Sequence, residues 1–252
     1  RERSQKLKSI LDKLERTKAV KRACLALISK ALEKAGLKPP LTTLLQSLPT
    51  PPTSGWAQIP LSHKGYLELN PSKKALADLD ENTLVSFVEM AGVSNDGYIQ
   101  TQSPKPLKEL KKGGYTYFAQ NDIIIAKITP CMENGKCALA TDLTNGIGLG
   151  STEFHVFRAK EGLLPKFLFL CLNQEAIRQE AAKHMTGASG HRRVPMSFYE
   201  ALKIPLPPLP VQEQIVGVIA KIEQERTALE NTLKSLEGQQ EVILKKYLHP
   251  DM

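Results

Sequence analysis

Behind Pro205-Leu206-Pro207-Pro208-Leu209-Pro210 the chain runs on as Val211-Gln212-Glu213-Gln214-Ile215, and from Ile215 its apolar residues keep a strict step. Ile215, Ile219, Ile222, Arg226, Leu229, Leu233, Leu236, Gln240, Ile243 and Tyr247 follow one another at spacings of four and three. Eight of these ten positions are apolar, which predicts one helix over 211–248 with a narrow heptad seam. Arg226 and Gln240 interrupt the seam as candidate register-fixing residues, with Ile222, Leu229 and Leu236 as the apolar contacts around them.

The N-terminal segment shows the same pattern less cleanly. Residues 4–35 predict a helix that stops at Gly36, with Pro39 and Pro40 behind it. Leu7, Leu11, Leu14, Leu25, Ile28 and Leu32 are spaced by threes and fours, and Lys18 and Lys21 fill the slots between. At 1.5 Å per residue the two helices would be about 45 and about 55 Å long. One narrow stripe does not fold alone, so each helix needs a partner, and the nearest is the other. Two surface helices on a single core is the plainer alternative, but both outrun the ~30 Å diameter of a small domain.

The expected fold is α+β: one globular domain with a small mixed β-sheet and short helices, flanked by two long antiparallel coiled-coil-like helices. The division is 1–38 for the first helix, 39–210 for the domain and 211–252 for the spacer helix. Pro49, Pro51, Pro52 and Gly55 mark a linker before Trp56. Strands are predicted over 56–61, 84–88, 115–118, 122–128, 136–140 and 153–158, and helices over 105–110, 165–172, 175–183 and 197–201. This order has no βαβ rhythm, which argues against a doubly wound sheet.

Composition sets wide limits. The chain has 252 residues, 41% of them hydrophobic and 24% charged, as in ordinary soluble proteins. It opens on Arg1 with no signal peptide, one reading being a longer parent, and it has no apolar run of membrane-spanning length. Cys24, Cys131, Cys137 and Cys171 form no CxxC pair and have no histidine at ligand spacing, so reduced cytoplasmic thiols are expected and no metal site. The net charge of +8 is local: residues 1–38 hold 12 Lys and Arg against 4 Asp and Glu, leaving 22 of each sign elsewhere. Bulk charge therefore does not place nucleic acid on the middle domain.

Catalytic motifs are not evident. Gly146-Ile147-Gly148-Leu149-Gly150-Ser151 looks like a phosphate loop, yet an extended segment follows it where a helix should begin. A turn before a strand, or a flexible approach to a ligand, fits better. Asp122, Glu133 and Lys136 loosely suggest a nuclease, but Glu133-Asn134-Gly135-Lys136 is one residue too long for both side chains to share a strand face.

Three loops carry the interest. The run 183–195 places Lys183, His184, His191, Arg192 and Arg193 around Gly187 and Gly190, with Thr186 and Ser189 as hydroxyl donors. Glycines allow close approach of backbone N–H groups to a phosphate, and Arg can fork onto phosphate or guanine. The run 127–136 is a polar turn leaving a buried strand, with Lys127, Thr129, Asn134 and Lys136, and Asn suits adenine. The third, 94–98, is a turn with Asn95 and an aromatic, Tyr98. For the last two an ordinary solvated loop is an equally good reading.

Taken in order, five segments resemble the target-recognition domain of type I restriction–modification specificity subunits. They are 85–90, 118–130, 150–158 (Gly150-Ser151-Thr152-Glu153-Phe154-His155-Val156-Phe157-Arg158), 187–194 and 204–215. The resemblance runs from Trp56 to about Ile222. It implies a subunit without catalysis of its own that reads half of a split sequence in double-stranded DNA. It further implies docking to methyltransferase subunits, which bind S-adenosylmethionine, and to a motor–nuclease restriction subunit. No cofactor is expected on this chain. The family's subunits carry two recognition domains, whereas this chain has one, so it reads as a half-subunit or as part of a longer chain. A half-subunit would form a twofold homodimer, with Lys18, Lys21, Arg226 and Gln240 setting helix register. The alternatives are the recognition region of a single-chain restriction–methylation enzyme and, in another class, a coiled-coil protein-interaction scaffold.

Overall fold

Ile123-Ile124-Ile125-Ala126 is buried at every position, and the fold is built outward from it. Side chains alternate across a strand, so such a run needs apolar partners on both faces. In the computed structural model, which describes residues 52, 55–188 and 190–248, Ile123 and Ile125 join one core and Ile124 another. Beyond residue 224 most side chains of the last helix also lie outside the description.

Residues 50–216 form one compact unit. Its strands in chain order are β1 (Ala57–Pro60), β2 (Leu67–Leu69), β3 (Leu84–Val88), β4 (Ser103–Pro106), β5 (Thr116–Ala119), β6 (Ile123–Ala126), β7 (Cys137–Leu139), β8 (Ile147–Gly150), β9 (Phe154–Ala159) and β10 (Lys203–Leu206). Its helices are α1 (Leu107–Leu110), α2 (Pro165–Leu172), α3 (Glu175–Lys183), α4 (Met196–Ala201) and the start of α5 (Leu209–Leu248). From Gly217 the long helix belongs to a second unit. Among the described residues, no helix is long and apolar enough to cross a membrane.

The strands make three sheets where one small mixed sheet was expected. The order β2-β9-β6-β7 is antiparallel throughout, and β4-β3-β8-β5 is mixed, with β3 and β8 parallel. A separate pair joins β1 to β10, so the last strand before α5 returns to the first. The largest core packs α2 and the buried side of α3 against Ile123, Ile125 and Phe157, while Phe118, Ile124, Phe154 and Val156 form the second. Asp122, 1% exposed at the entry to β6, accepts from the Ala119 N–H at 2.7 Å. It also takes a two-bond fork from Arg158 on β9 at 2.8 and 2.7 Å. The start of α5 is fixed by Gln212, fully buried, whose amide donates to Gly162 and Pro207 carbonyls and accepts from the Leu164 N–H.

Two further expectations are corrected. The 146–151 glycines are neither a turn nor a flexible approach in their main part. Ile147–Gly150 is β8, at the centre of the mixed sheet between β3 and β5. Glycine is required there by volume, because a Cβ on Gly148 would lie 2.1 Å from the Phe118 ring. The expected helix over 105–110 starts only at Leu107, since Lys105 and Pro106 finish an edge strand, where proline's missing N–H does no harm.

Gly148→Ala is therefore expected to cost about 1–3 kcal/mol of unfolding free energy through overpacking against Phe118. Gly114→Ala, whose methyl meets only Thr152 Cγ2 at 3.6 Å, should stay within about 0.5 kcal/mol of the parent. Urea denaturation of the two variants decides; equal midpoints would contradict the packing described.

Candidate nucleic-acid interface

Strand β6 does not stop being extended at Ala126. The Lys127 N–H donates to the Glu153 carbonyl at 2.9 Å, and the Lys127 carbonyl accepts from the Val194 N–H at 2.8 Å. Two residues on, the Thr129 N–H donates to the Arg192 carbonyl at 2.9 Å. Thr186 and Arg193 exchange both backbone bonds, at 3.0 and 2.8 Å. The glycine–basic run is thus a hairpin laid along the outgoing end of β6. One leg comes up from α3 through buried Met185, and the other descends to α4 through buried Val194.

Its tip needs glycine. Gly187 has φ +118°, and a Cβ there would lie 2.9 Å from the His191 carbonyl oxygen. The His191 N–H donates to the Ala188 carbonyl at 2.9 Å and closes the turn. Thr186, Gly187, Gly190, His191 and Arg192 are exposed; Ser189 lies outside the described residues.

Arg192 and Arg193 are neighbours on an extended leg and point to opposite faces. Arg192 Nη2 donates to the Ala182 carbonyl in the last turn of α3 at 3.0 Å. Arg193 forks onto Glu153 at 2.9 and 2.7 Å, and its Nη1 donates to the His191 carbonyl at 2.9 Å. The guanidinium holds the Glu153 carboxyl below the usual carboxylate range, burial opposing it. Behind the hairpin, His155 Nε2–H donates to the Val194 carbonyl at 2.9 Å, its Nδ1 buried without a partner. Burial lowers the His155 pKa, which keeps the ring neutral.

The other two loops are tied to this one. Thr129 Oγ1–H donates to Glu133 at 2.6 Å and shapes the turn. Lys136 sends its ammonium to the Met90 and Val93 carbonyls at 3.0 and 2.6 Å, in the segment that leads into the Ser94 turn. Ser94 Oγ then accepts from the Asp96 and Tyr98 N–H groups, both at 3.1 Å, leaving Tyr98 53% exposed. A continuous chain of hydrogen bonds therefore runs from the 94–98 turn through the 127–136 turn to the 186–193 hairpin.

Lys127, Thr129, Asn134, Lys136, Thr186, Gly187, Gly190, His191, Arg192, Arg193, Asn95 and Tyr98 all belong to this set of loops. Their states differ. Among the described residues no hydrogen bond or ion pair engages the side chains of Lys127, Asn95, Asn134, Tyr98 or His191. Thr129, Lys136 and Arg193 are committed inside the protein. Of the helix-seam residues, Lys18 and Lys21 lie outside the described part. Ile222, Arg226, Leu229, Leu236 and Gln240 fall on α5, but only the Ile222 side chain is described, half-buried.

Asp122, Glu133 and Lys136 are each occupied elsewhere, with Arg158, Thr129 and two carbonyls. Among the described residues no cluster of three metal-ligating side chains occurs. Burial pushes the Cys137 and Cys171 thiols up to about 12, so neither ionises at neutral pH. Sequence reasoning missed Glu153 as a site residue. Its signal was a lone carboxylate just ahead of a mostly apolar strand, in Glu153-Phe154-His155-Val156-Phe157.

Residues 69–237 match the Type I restriction modification DNA specificity domain. The chain belongs to the type I restriction–modification specificity family. It is 38% identical over 193 residues to the specificity subunits of the Escherichia coli type I restriction enzymes EcoAI and EcoEI. That covers 75% of this chain and 32% and 31% of those relatives, so the specificity-family chain here spans about a third of their length. Among solved structures, the HsdS subunit from Thermoanaerobacter tengcongensis superposes with a TM-score of 0.60 at 20% identity, covering 81% of this chain and 52% of that one. A chain from a study of complex assembly and conformational transition of the type I R-M system gives 0.55 at 19% identity, over 95% and 57% of the two chains. These two show the fold.

Two predictions follow from the geometry of this specificity domain. Lys136→Met keeps the stem but removes two charge-assisted bonds, and should lose about 1.5–3 kcal/mol of stability. Hydrogen exchange should quicken in 90–98 before it does elsewhere; unchanged protection there would remove Lys136 as the tie. The Glu153 carboxyl is depressed on folding, so the stability from its pair is present above the unfolded carboxylate pKa and is lost as pH falls through the folded one. The Arg193 Nε–H chemical shift should accordingly hold its paired position at neutral pH and move to the unpaired one only below the ordinary carboxylate range.

Proposed function

We propose that this chain is a non-catalytic DNA specificity subunit whose domain, assigned to 39–210, reads one half of a split target in double-stranded DNA. The observation that carries the reading is the hydrogen-bonded chain of three polar loops at the outgoing end of β6, in a protein of the specificity family. Phosphate contacts would position the domain and exposed side chains would read major-groove edges. Arg192, His191, Thr186, Ser189, Lys127, Asn134, Asn95 and Tyr98 are the residues offered to DNA, on a backbone that Gly187 and Gly190 let approach it.

The helices 1–38 and 211–252 would act as a spacer and as the docking site for methyltransferase subunits, which bring S-adenosylmethionine, and through them for the motor–nuclease subunit. Arg226 and Gln240, with Lys18 and Lys21, would set the register in which they pair. A second copy of the chain would complete a twofold arrangement and make the target palindromic. The protein would work in the cytoplasm, where the chromosome is.

Mapping methylated adenines in cells that carry this protein with its methyltransferase should return one split motif. Arg192→Ala should weaken binding to it by about 1–3 kcal/mol and relax preference at one position. A methylation pattern without a motif, or full affinity in Arg192→Ala within the assembled complex, would count against the reading. A strict monomer in sedimentation at high concentration would remove the dimer.

A further inference from the structure

We infer that Glu153 and Arg193 are a positioning pair that sets the aim of the recognition hairpin, and that Arg193 itself reads no base. The inference rests on the DNA-reading proposal above and goes beyond it by dividing two adjacent arginines into a reader and a strut.

An arginine that reads guanine presents two N–H donors side by side to O6 and N7. In Arg193 that edge is taken: Nε and Nη2 fork onto the two oxygens of Glu153 at 2.9 and 2.7 Å. The remaining nitrogen, Nη1, donates to the His191 carbonyl inside the hairpin's own turn. Its backbone N–H and carbonyl are both spent on Thr186. Arg193 thus binds both legs and the tip of the hairpin, and anchors them to Glu153, the residue just before β9. To reach a base it would have to break a charge-assisted fork, leaving a carboxylate beside the phosphates.

Arg192 is the contrary case. It is exposed, a single nitrogen bonds one carbonyl, and it points away from Glu153. Glu153 is an odd choice for a DNA-facing surface, since its charge repels phosphate. Its place is explained by neutralising Arg193 and fixing the hairpin on the Lys127–Glu153 backbone bond.

The test uses the assembled complex with its methyltransferase subunits, a library of duplexes randomised at the centre, and a fixed non-target duplex. Glu153→Gln frees Arg193, so binding to the non-target duplex should hold or tighten, and its log–log salt slope should steepen by about one. Discrimination in the library should meanwhile fall by about tenfold or more. Arg193→Lys keeps the charge but loses the fork, and should lose discrimination similarly. The double variant should be no worse than the poorer single, since both remove one interaction.

Should Glu153→Gln lose its cooperative melt, Arg193→Lys alone decides, by whether the enriched motif survives. A motif retained at parental strength in either folded variant, or losses that add in the double, would overturn the inference while leaving the DNA-reading proposal standing. If the unaltered complex enriches no motif, the proposal falls first and takes the inference with it.

Discussion

A strand buried on both faces is the constraint from which the rest of the domain follows. Ile123, Ile124, Ile125 and Ala126 each lose nearly all contact with water, and fully burying a large aliphatic side chain contributes about 1.5–3 kcal/mol. Apolar layers must therefore form above and below β6, and β9 and β7 must satisfy its backbone on either side. With every neighbour of the strand dictated, its outgoing end has little freedom of direction. That end, Lys127 to Thr129, is where the hairpin docks. The candidate interface takes its rigidity from that core, into which Met132, Met185 and Val194 of its own loops also pack.

Polar side chains then carry the order of that core outward. Lys136, Thr129, Ser94 and Arg193 each spend their hydrogen bonds holding backbone or a neighbouring carboxylate. Loops of this length would otherwise be mobile, and ordering them on a ligand costs about 1–2 kcal/mol per residue in backbone entropy. Settling them beforehand leaves more of the contact energy for telling sequences apart. The polar residues at the interface thus divide into those that hold and those that are exposed. Only the second group could vary without rebuilding the loops.

This division was not legible in the sequence, and particular residues show why. The boundaries of β3, α2 and α3 coincide with their expected ranges, because local pattern and burial agree there. The fate of the glycine run was hidden. Nothing local says that the space above Gly148 belongs to Phe118, thirty positions upstream in the chain. β2 and β10, at three and four residues, are too short for a period to register. For the candidate interface, composition singles out the loops, but roles depend on long-range partners. Lys136 looks like a free cation until its Met90 and Val93 carbonyls are seen, and Arg193 looks like the twin of Arg192 until Glu153 is.

Charge supplies the last step. Beyond residue 38 the chain carries 22 basic and 22 acidic groups. Within the domain Asp122 and Glu153 neutralise the arginines best fixed in place, Arg158 and Arg193. A surface so balanced attracts phosphate only weakly, because non-specific affinity scales with the cations free to displace counterions. On the reading proposed here, the domain therefore contributes discrimination more than affinity. On the same reading, the general attraction to DNA would come from the basic 1–38 segment or from partner subunits. That arrangement is physically sensible: a weakly held reader leaves wrong sequences quickly, and only a match between rigid loops and base edges keeps it in place.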